Sequence, residues 1–290
     1  MENNKLTELQ LELSIKCNSN CVMCPRDKLT RSGKPGFMSF KIAKRIIDES
    51  YSMGARLLKP QWFGEPLLSP DFDKIVKYAK DKGMNILLVT NGSLLDEKKR
   101  KFILDNCDKV WFSIDSPDKE EYEKIRRGLS FDKVIENLHN LKLDRDKAEI
   151  KMDIWVTGVN VNGSADKLEE FFKDKCDRVL VNKMIDYSKE VNTADFRKVK
   201  CKHNVGSRLV VGWEGTPYLC CHDWLGEYPL PNLQARRIRD IWYCCKRKQH
   251  LRNLDVLQIC QKCMLSSEQW TKKLCLIVLR QLRREVLNII

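Results

Sequence analysis

Three cysteines within eight residues constrain this chain more than anything else in it: Cys17, Cys21 and Cys24, spaced C-x3-C-x2-C inside CNSNCVMCP. They directly follow a stretch in which Leu9, Leu11, Leu13 and Ile15 alternate with Gln10, Glu12 and Ser14. That alternation has the period of a strand with one buried face, so the cysteines occupy the loop that the strand delivers. Thiolates are soft, anionic ligands that select iron–sulfur clusters, zinc or copper(I) over hard cations. Closed sites of these kinds use four protein ligands. Three local cysteines therefore point to a 4Fe–4S cluster with one iron left open. On spacing alone, the alternative is a zinc site that borrows a fourth cysteine from elsewhere.

The chain that follows repeats one theme. Ser39 caps a helix carrying Ile42, Ile46 and Ile47, and a second strand, Leu57 to Phe63, ends in Gly64-Glu65-Pro66. A helix with Phe72, Ile75, Val76 and Ala79 leads to the strand Asn85 to Thr90, ending at Asn91-Gly92. Helix Asp96 to Asn106 precedes the strand Lys109 to Ile114, which ends at Asp115-Ser116-Pro117. Helical stretches at Asp118 to Arg127 and Phe131 to Leu143 precede a fifth strand, Glu149 to Val156. A helix near Ala165 to Phe172 and a sixth strand, Arg178 to Asn182, close the series. Six alternations of strand and helix predict a parallel α/β sheet with right-handed crossovers.

These strands are not apolar on both faces. Val110, Phe112 and Ile114 oppose Trp111, Ser113 and Asp115, and Met152, Ile154 and Val156 oppose Lys151, Asp153 and Trp155. Helices must cover the apolar face, so the polar face lines a lumen suited to a polar substrate. Asp115, Lys151 and Asp153 on that face are the candidate catalytic residues, with a basic side chain accepting a proton from an alcohol under oxidation. Alternatively, Lys151 and Asp153 pair with each other or with neighbouring charges and only hold the barrel together.

The motif and its setting resemble the radical S-adenosylmethionine (SAM) superfamily, whose signature is C-x3-C-x2-C. The second strand ends in WFGEPLL, similar to the family's GGEP segment, with Phe63 in place of the first glycine and Gly64, Glu65 and Pro66 matching. Ser113-Ile114-Asp115 is like the family's S-I/L-D segment, and Arg126 or Arg127 stands where an arginine often holds the SAM carboxylate. The resemblance covers roughly residues 5 to 185 and implies a partial (β/α)6 barrel. It also implies that Cys17, Cys21 and Cys24 hold a 4Fe–4S cluster whose open iron takes the methionyl amine and carboxylate of SAM. Gly64, Glu65, Pro66, Asn91, Ser113 and Arg126 are the implied SAM-binding set. In the family, the reduced cluster splits SAM into methionine and a 5′-deoxyadenosyl radical that takes hydrogen from unactivated carbon, and the implied electron donor is a flavodoxin or ferredoxin.

A second cysteine group comprises Cys201, Cys220 within GTPYLC, and Cys260 and Cys263 in a C-x2-C pair. Short strands are predicted at Leu209 to Trp213 and Tyr218 to Cys221, joined by a turn, with a helix from Ile238 to Arg252. The order resembles the twitch domain, a shortened SPASM domain that binds one auxiliary 4Fe–4S cluster. Asn232 resembles part of that family's Gly-Asn. Zinc is the rival metal, and Cys221 or His222 could substitute for Cys220. Cys244, Cys245 and Cys275 do not fit a further cluster, and Cys107 and Cys176 read as buried residues. The expected organisation is a barrel over 1–190, a small Cys-rich domain of β-hairpin plus helix over 191–270, and a basic amphipathic helix over 271–290.

Thirteen cysteines and an N-terminus, MENNKLTELQ, with no apolar signal core suit a reducing, cytoplasmic setting. The formal charge is +13, and from Arg236 to Ile290 thirteen Lys or Arg face four Asp or Glu. The last segment places Arg280, Arg283 and Arg284 beside Leu279, Leu282, Val286 and Ile290, a pattern for packing on the barrel or for peripheral membrane contact. The expected activity is oxidation of a small polar substrate, a sugar or aminocyclitol-like alcohol, with the auxiliary cluster accepting an electron. Peptide modification by a maturase is the enzymatic alternative. A zinc- or cluster-bearing nucleic-acid binder is the alternative of another class. Trp242, Tyr243 and Trp270 make only a thin aromatic set for that role.

Overall fold

The computed structural model describes residues 5–29, 36–184, 192–198, 201, 205–228, 230–231, 233 and 236–263. The expected helix over 271–290, Cys275 and Asn232 lie outside them. The strands are β1 (Glu8–Leu11), β2 (Asn20–Cys21), β3 (Leu57–Lys59), β4 (Asn85–Thr90), β5 (Lys109–Ser113), β6 (Arg126–Arg127), β7 (Asp153–Asn160), β8 (Arg178–Lys183), β9 (Arg208–Val211) and β10 (Pro217–Tyr218). The helices are α1 (Phe40–Ser52), α2 (Phe72–Asp81), α3 (Glu97–Asn106), α4 (Lys119–Ile125), α5 (Phe131–Lys147), α6 (Leu168–Phe172), α7 (Ile238–Trp242) and α8 (Cys245–Arg252).

Six strands, β1, β3, β4, β5, β7 and β8, pair in chain order, each parallel to the next. This is the expected run of β/α units, and it sets every strand's C-terminal end on one edge. The helices between them start where the sequence supplies a cap. Ser39, Asp96, Asp118 and Ser130 each accept a hydrogen bond from a first-turn amide of α1, α3, α4 and α5, satisfying a donor that has no partner within the helix. The core lies between the helices and one sheet face, where Leu9, Leu58, Leu88, Val110, Phe112, Ile154 and Val156 are fully buried. Gly92 adopts φ +77°, and a Cβ there would lie 2.6 Å from Phe112 Cδ1, so this tight exit from β4 admits only glycine.

Four boundaries differ from the expectation. The predicted hairpin is present as β9 and β10, but β9 also pairs parallel with β1, so the hairpin extends the barrel sheet to eight strands. The fifth barrel strand starts at Asp153 because α5 runs on to Lys147 and Glu149 turns the chain at φ 50°. The helix expected over Asp118 to Arg127 ends at Ile125, since Arg126–Arg127 leaves it to pair antiparallel with Asn20–Cys21. The helix expected from Ile238 to Arg252 breaks in two, with the Cys244 sulfur accepting the Arg247 N–H and opening α8.

Among the described residues no helix is long and apolar enough to cross a membrane. Phe112 joins the β5 face to Gly92 and the helical layer, so Phe112→Ala should cost about 3–5 kcal/mol of unfolding free energy. Urea unfolding checks this. A loss below about 1 kcal/mol would mean that the core does not close at this residue.

Candidate active site

The cysteine loop is built onto the C-terminal edge of the sheet by contacts that need no metal. The Glu65 N–H donates to Lys16 O (2.9 Å), tying the loop's entry to the end of β3. The pairing of β2 with β6 is reinforced by Val22 N–H to Ile125 O (2.9 Å) and Ser19 Oγ–H to Arg127 O (3.0 Å). The Arg26 guanidinium donates to Cys17 O (3.2 Å) and Ser19 O (2.8 Å), folding the loop back on itself. At the end of β4, Asn91 Nδ2 donates to Asn18 Oδ1 (2.9 Å) and lies 4.0 Å from Cys17 Sγ.

The thiols of Cys17, Cys21 and Cys24 rim one cleft of about 210 Å³, together with Gly64, Glu65, Asn91, Ser113 and Arg126. The structure thus gathers the three cysteines with five of the six residues expected to bind SAM. Pro66 opens the short 3-10 turn behind Glu65. Burial pushes the Cys17 and Cys24 thiols above their ordinary pKa. A positive metal centre that binds thiolates would relieve this penalty. Among the described residues, no three His, Cys, Asp or Glu side chains converge tightly enough for a single ion. The three cysteines line one cleft of about 210 Å³, and together they would hold a cluster there.

Within this set, geometry assigns roles the sequence did not separate. Gly64 serves by its smallness: a Cβ there would fall 2.0 Å from Ser14 O and 2.8 Å from Lys16 O. The Glu65 carboxylate turns inward, accepting from Thr90 Oγ1 (2.7 Å), Asn91 N–H (2.8 Å) and Leu67 N–H (3.2 Å). It locks the end of β3 to that of β4. Burial pushes its pKa up to about 7 against the pull of those donors.

Asp115, expected as a catalytic residue, is fully buried and occupied. Its Oδ1 accepts from Val159 N–H (2.7 Å) and Arg126 Nη2 (3.1 Å), and its Oδ2 lies 2.6 Å from Arg126 Nε. Burial alone would weaken the Arg126 charge, but Asp115 and the Cys21 sulfur outweigh it and hold its pKa above the usual value. Arg126 is thereby aimed at the cleft, with Nη1 3.9 Å from Cys21 Sγ.

Lys151 and Asp153 do not reach the site. Lys151 is exposed ahead of β7, and Asp153 begins that strand, paired with Lys109 (2.7 Å). Four residues of parallel strand, about 13 Å, separate Asp153 from the layer of Ser113. The expectation that they lie near the reacting end is corrected: shifting the start of the fifth strand to Asp153 puts both at the opposite rim. The polar face of β1 is likewise used internally. Gln10 Nε2 donates to Gln61 O (3.0 Å), and Glu12 accepts from the N–H groups of Phe63 (3.4 Å) and Trp213 (3.3 Å). The contributions of Asn18, Ser19 and Arg26 were not foreseen, although all three fall in or beside the motif.

A second thiol group forms beyond β10. Cys220 and Cys260 both pack on a small cluster of Val205, Leu219, Leu257 and Ile259. Residues 258–263 are helical, which carries Cys260 and Cys263 on one turn. Burial, together with the neighbouring Cys201 and Cys263 thiols, pushes Cys260 up to about 12. Cys221 turns away to Arg208, whose Nη1 lies 3.5 Å from its sulfur. Burial raises its pKa, but His222 and Arg208 outweigh this and bring it to about 7. Thiolates are soft ligands that suit an iron–sulfur or zinc group, and Cys201, Cys220, Cys260 and Cys263 would hold it.

The two cysteine groups fall within stretches that match known families. Residues 11–174 match the radical SAM superfamily, and residues 201–264 match SPASM, an iron–sulfur cluster-binding domain. An AdoMet-dependent heme synthase of Methanosarcina barkeri is 33% identical over 165 residues, which are 56% of this chain and 44% of that protein. The chain spans about half the length of the curated relatives it matches. Among solved structures, Streptococcus suis SuiB bound to precursor peptide SuiA superposes with TM-score 0.68 at 15% identity, covering 86% of this chain and 67% of SuiB. BtrN in complex with AdoMet and 2-DOIA superposes with TM-score 0.56 at 17% identity, covering 88% of this chain and 92% of BtrN.

If Asp115 orients Arg126, Asp115→Asn leaves a buried, unpaired cation and should cost about 3–5 kcal/mol. Adding Arg126→Met should recover much of that loss. Equal instability of the single and double variants in anaerobic urea unfolding would mean that the pair does not couple.

Proposed function

The chain belongs to the radical SAM superfamily and carries a SPASM iron–sulfur domain, and from that premise we propose that it oxidises a polar small molecule held on the sheet face opposite the helical core. Its cofactors are SAM and two 4Fe–4S clusters. When bound, the first cluster supplies the electron that splits SAM into methionine and a 5′-deoxyadenosyl radical. Cys17, Cys21 and Cys24 would hold that cluster. Arg126 would set a cation against the SAM carboxylate, and Gly64, Asn91 and Ser113 would line its seat. On this reading SAM cleavage would supply the abstraction of a hydrogen atom from a carbinol carbon. An auxiliary cluster held by Cys201, Cys220, Cys260 and Cys263 would supply the acceptor for the second electron, the hydroxyl proton leaving to solvent and a ketone resulting. An electron donor of the flavodoxin or ferredoxin type would reduce the first cluster.

One observation carries the oxidative reading. Trp62 lines the three-thiol cleft and donates its Nε1–H to Cys221 O (2.8 Å). The chain segment bearing Cys220 therefore abuts the wall of the cleft where hydrogen would be removed. An acceptor beside that wall suits withdrawal of a second electron. The sharing of one sheet through β9 and β1 holds the two regions in register.

Modification of a peptide is the second reading, and the likeness in fold to SuiB, solved with its precursor peptide, favours it. The readings separate by which compounds raise 5′-deoxyadenosine formation above the rate with SAM alone: polyols and sugars, or peptides.

Anaerobically reconstituted protein should hold about eight irons. Cys17→Ala with Cys21→Ala and Cys24→Ala should remove half of them and all SAM cleavage. Cys260→Ala with Cys263→Ala should remove the other half and leave cleavage measurable, while product falls much further. 5′-Deoxyadenosine from the triple variant would overturn the first assignment, and zinc in the native second site would overturn the oxidative one.

A further inference from the structure

A closed ring of three side chains joins the cysteine loop to the exit of β4. Asn18 Nδ2 donates to Ser93 Oγ (2.9 Å), Ser93 Oγ–H donates to Asn91 Oδ1 (2.7 Å), and Asn91 Nδ2 donates back to Asn18 Oδ1 (2.9 Å). Ser93 N–H also donates to Asn91 Oδ1 (3.0 Å), so that oxygen takes two donors from one residue. They fix which end of the amide is which, because turning it over would set its NH2 against the Ser93 N–H. Of the two Nδ2 hydrogens, one goes to Asn18, and for the other Cys17 Sγ lies 4.0 Å from the nitrogen. The backbone beneath is held as firmly. Asn91 N–H donates to Glu65 Oε2 (2.8 Å), Gly92 N–H to Thr90 Oγ1 (3.1 Å), and the buried Asn137 Nδ2 to Gly92 O (2.7 Å). Asn91 is itself buried, which limits competition from water for its amide.

We propose that Asn91 donates a hydrogen bond to the Cys17 sulfur of the first cluster, that Ser93 and Asn18 are the positioning residues that keep it aimed there, and that the ring thereby raises the cluster's reduction potential. The proposal rests on the assignment of Cys17, Cys21 and Cys24 to that cluster. Reduction adds one negative charge, spread over the cluster and its thiolate sulfurs. A donor to a sulfur therefore stabilises the reduced form more than the oxidised form. Hydrogen bonds of this kind are among the levers that set iron–sulfur potentials, and the groups that orient the donor matter with it. The Cys21 sulfur has Ser19 Oγ at 3.1 Å and Arg126 Nη1 at 3.9 Å. Among the described residues, the Cys17 sulfur receives its side-chain donor from Asn91.

The potential measured without SAM tests this apart from SAM binding and turnover. Reconstituted protein is titrated with dithionite and redox mediators under electron paramagnetic resonance. The Cys260→Ala, Cys263→Ala variant identifies which signal belongs to the first cluster. Asn91→Leu should disfavour reduction about threefold, a potential about 28 mV lower for one electron. Ser93→Ala should shift it the same way but less, because the Ser93 N–H remains on Oδ1. Ser93→Thr, which returns the hydroxyl, should restore the parent value. Iron content measured alongside shows whether each variant is loaded, and Ser93→Ala, which keeps Asn91, decides the case if Asn91→Leu does not load. An unchanged or higher potential in the loaded Asn91→Leu and Ser93→Ala variants would overturn the proposal. A fall in Asn91→Leu alone, with Ser93→Ala like the parent, would overturn the positioning role of the ring. A first-cluster signal that persists in the Cys17, Cys21 and Cys24 alanine variant would instead sink the assignment on which the proposal rests.

Discussion

The parallel register of β1, β3, β4, β5, β7 and β8 is the constraint on which everything else depends. It places the loop after β1, the turn after β3, the tight exit of β4 and the end of β5 along one edge. None of these segments is a site alone. Cys17 and its neighbours become one because Lys16 O is held by the Glu65 amide, Asn18 by Asn91, and Cys21 by the short pairing with Arg126. Glu65 and Asp115 then act as internal ties. Each is a buried carboxylate that joins two strand ends, Glu65 by accepting from Asn91 N–H and Asp115 by accepting from Val159 N–H.

The six β/α units were legible because their apolar residues recur at the strand and helix periods and because Ser39, Asp96, Asp118 and Ser130 mark helix starts. The two cysteine groups were legible from spacing, since a metal leaves short, regular intervals in a loop. What pattern could not supply was depth along a strand. Lys151 and Asp153 share the alternation of a lumen face, yet alternation says nothing about which end of the strand they occupy. The extra turn of α5 and the reversal at Glu149 decide that. Nor could pattern say whether a polar residue serves a ligand or the protein. Glu12, Gln10 and Asp115 read as lumen groups and are consumed internally, Glu12 and Asp115 by backbone donors and Gln10 by donating to the Gln61 carbonyl.

The parallel pairing of β9 with β1 was illegible for a related reason. The stretch at Leu209 reads as one arm of a hairpin with Tyr218, and it is one, but its other edge joins a strand 200 residues earlier. That pairing brings Arg208 to Glu8 and sets the Cys220–Cys221 segment against Trp62. The auxiliary thiols are thereby built onto the flank of the same sheet that carries the first cleft.

The central claim is that three thiols of this cleft hold a cluster whose remaining iron takes SAM. It is tested most directly by electron–nuclear double resonance on the reduced, reconstituted protein with SAM labelled by nitrogen-15 at the methionyl amine. A resolved hyperfine coupling between cluster and label, lost in the Cys17, Cys21 and Cys24 alanine variant, is the predicted result. Cluster signals that show no coupling to the label while SAM is bound would contradict it.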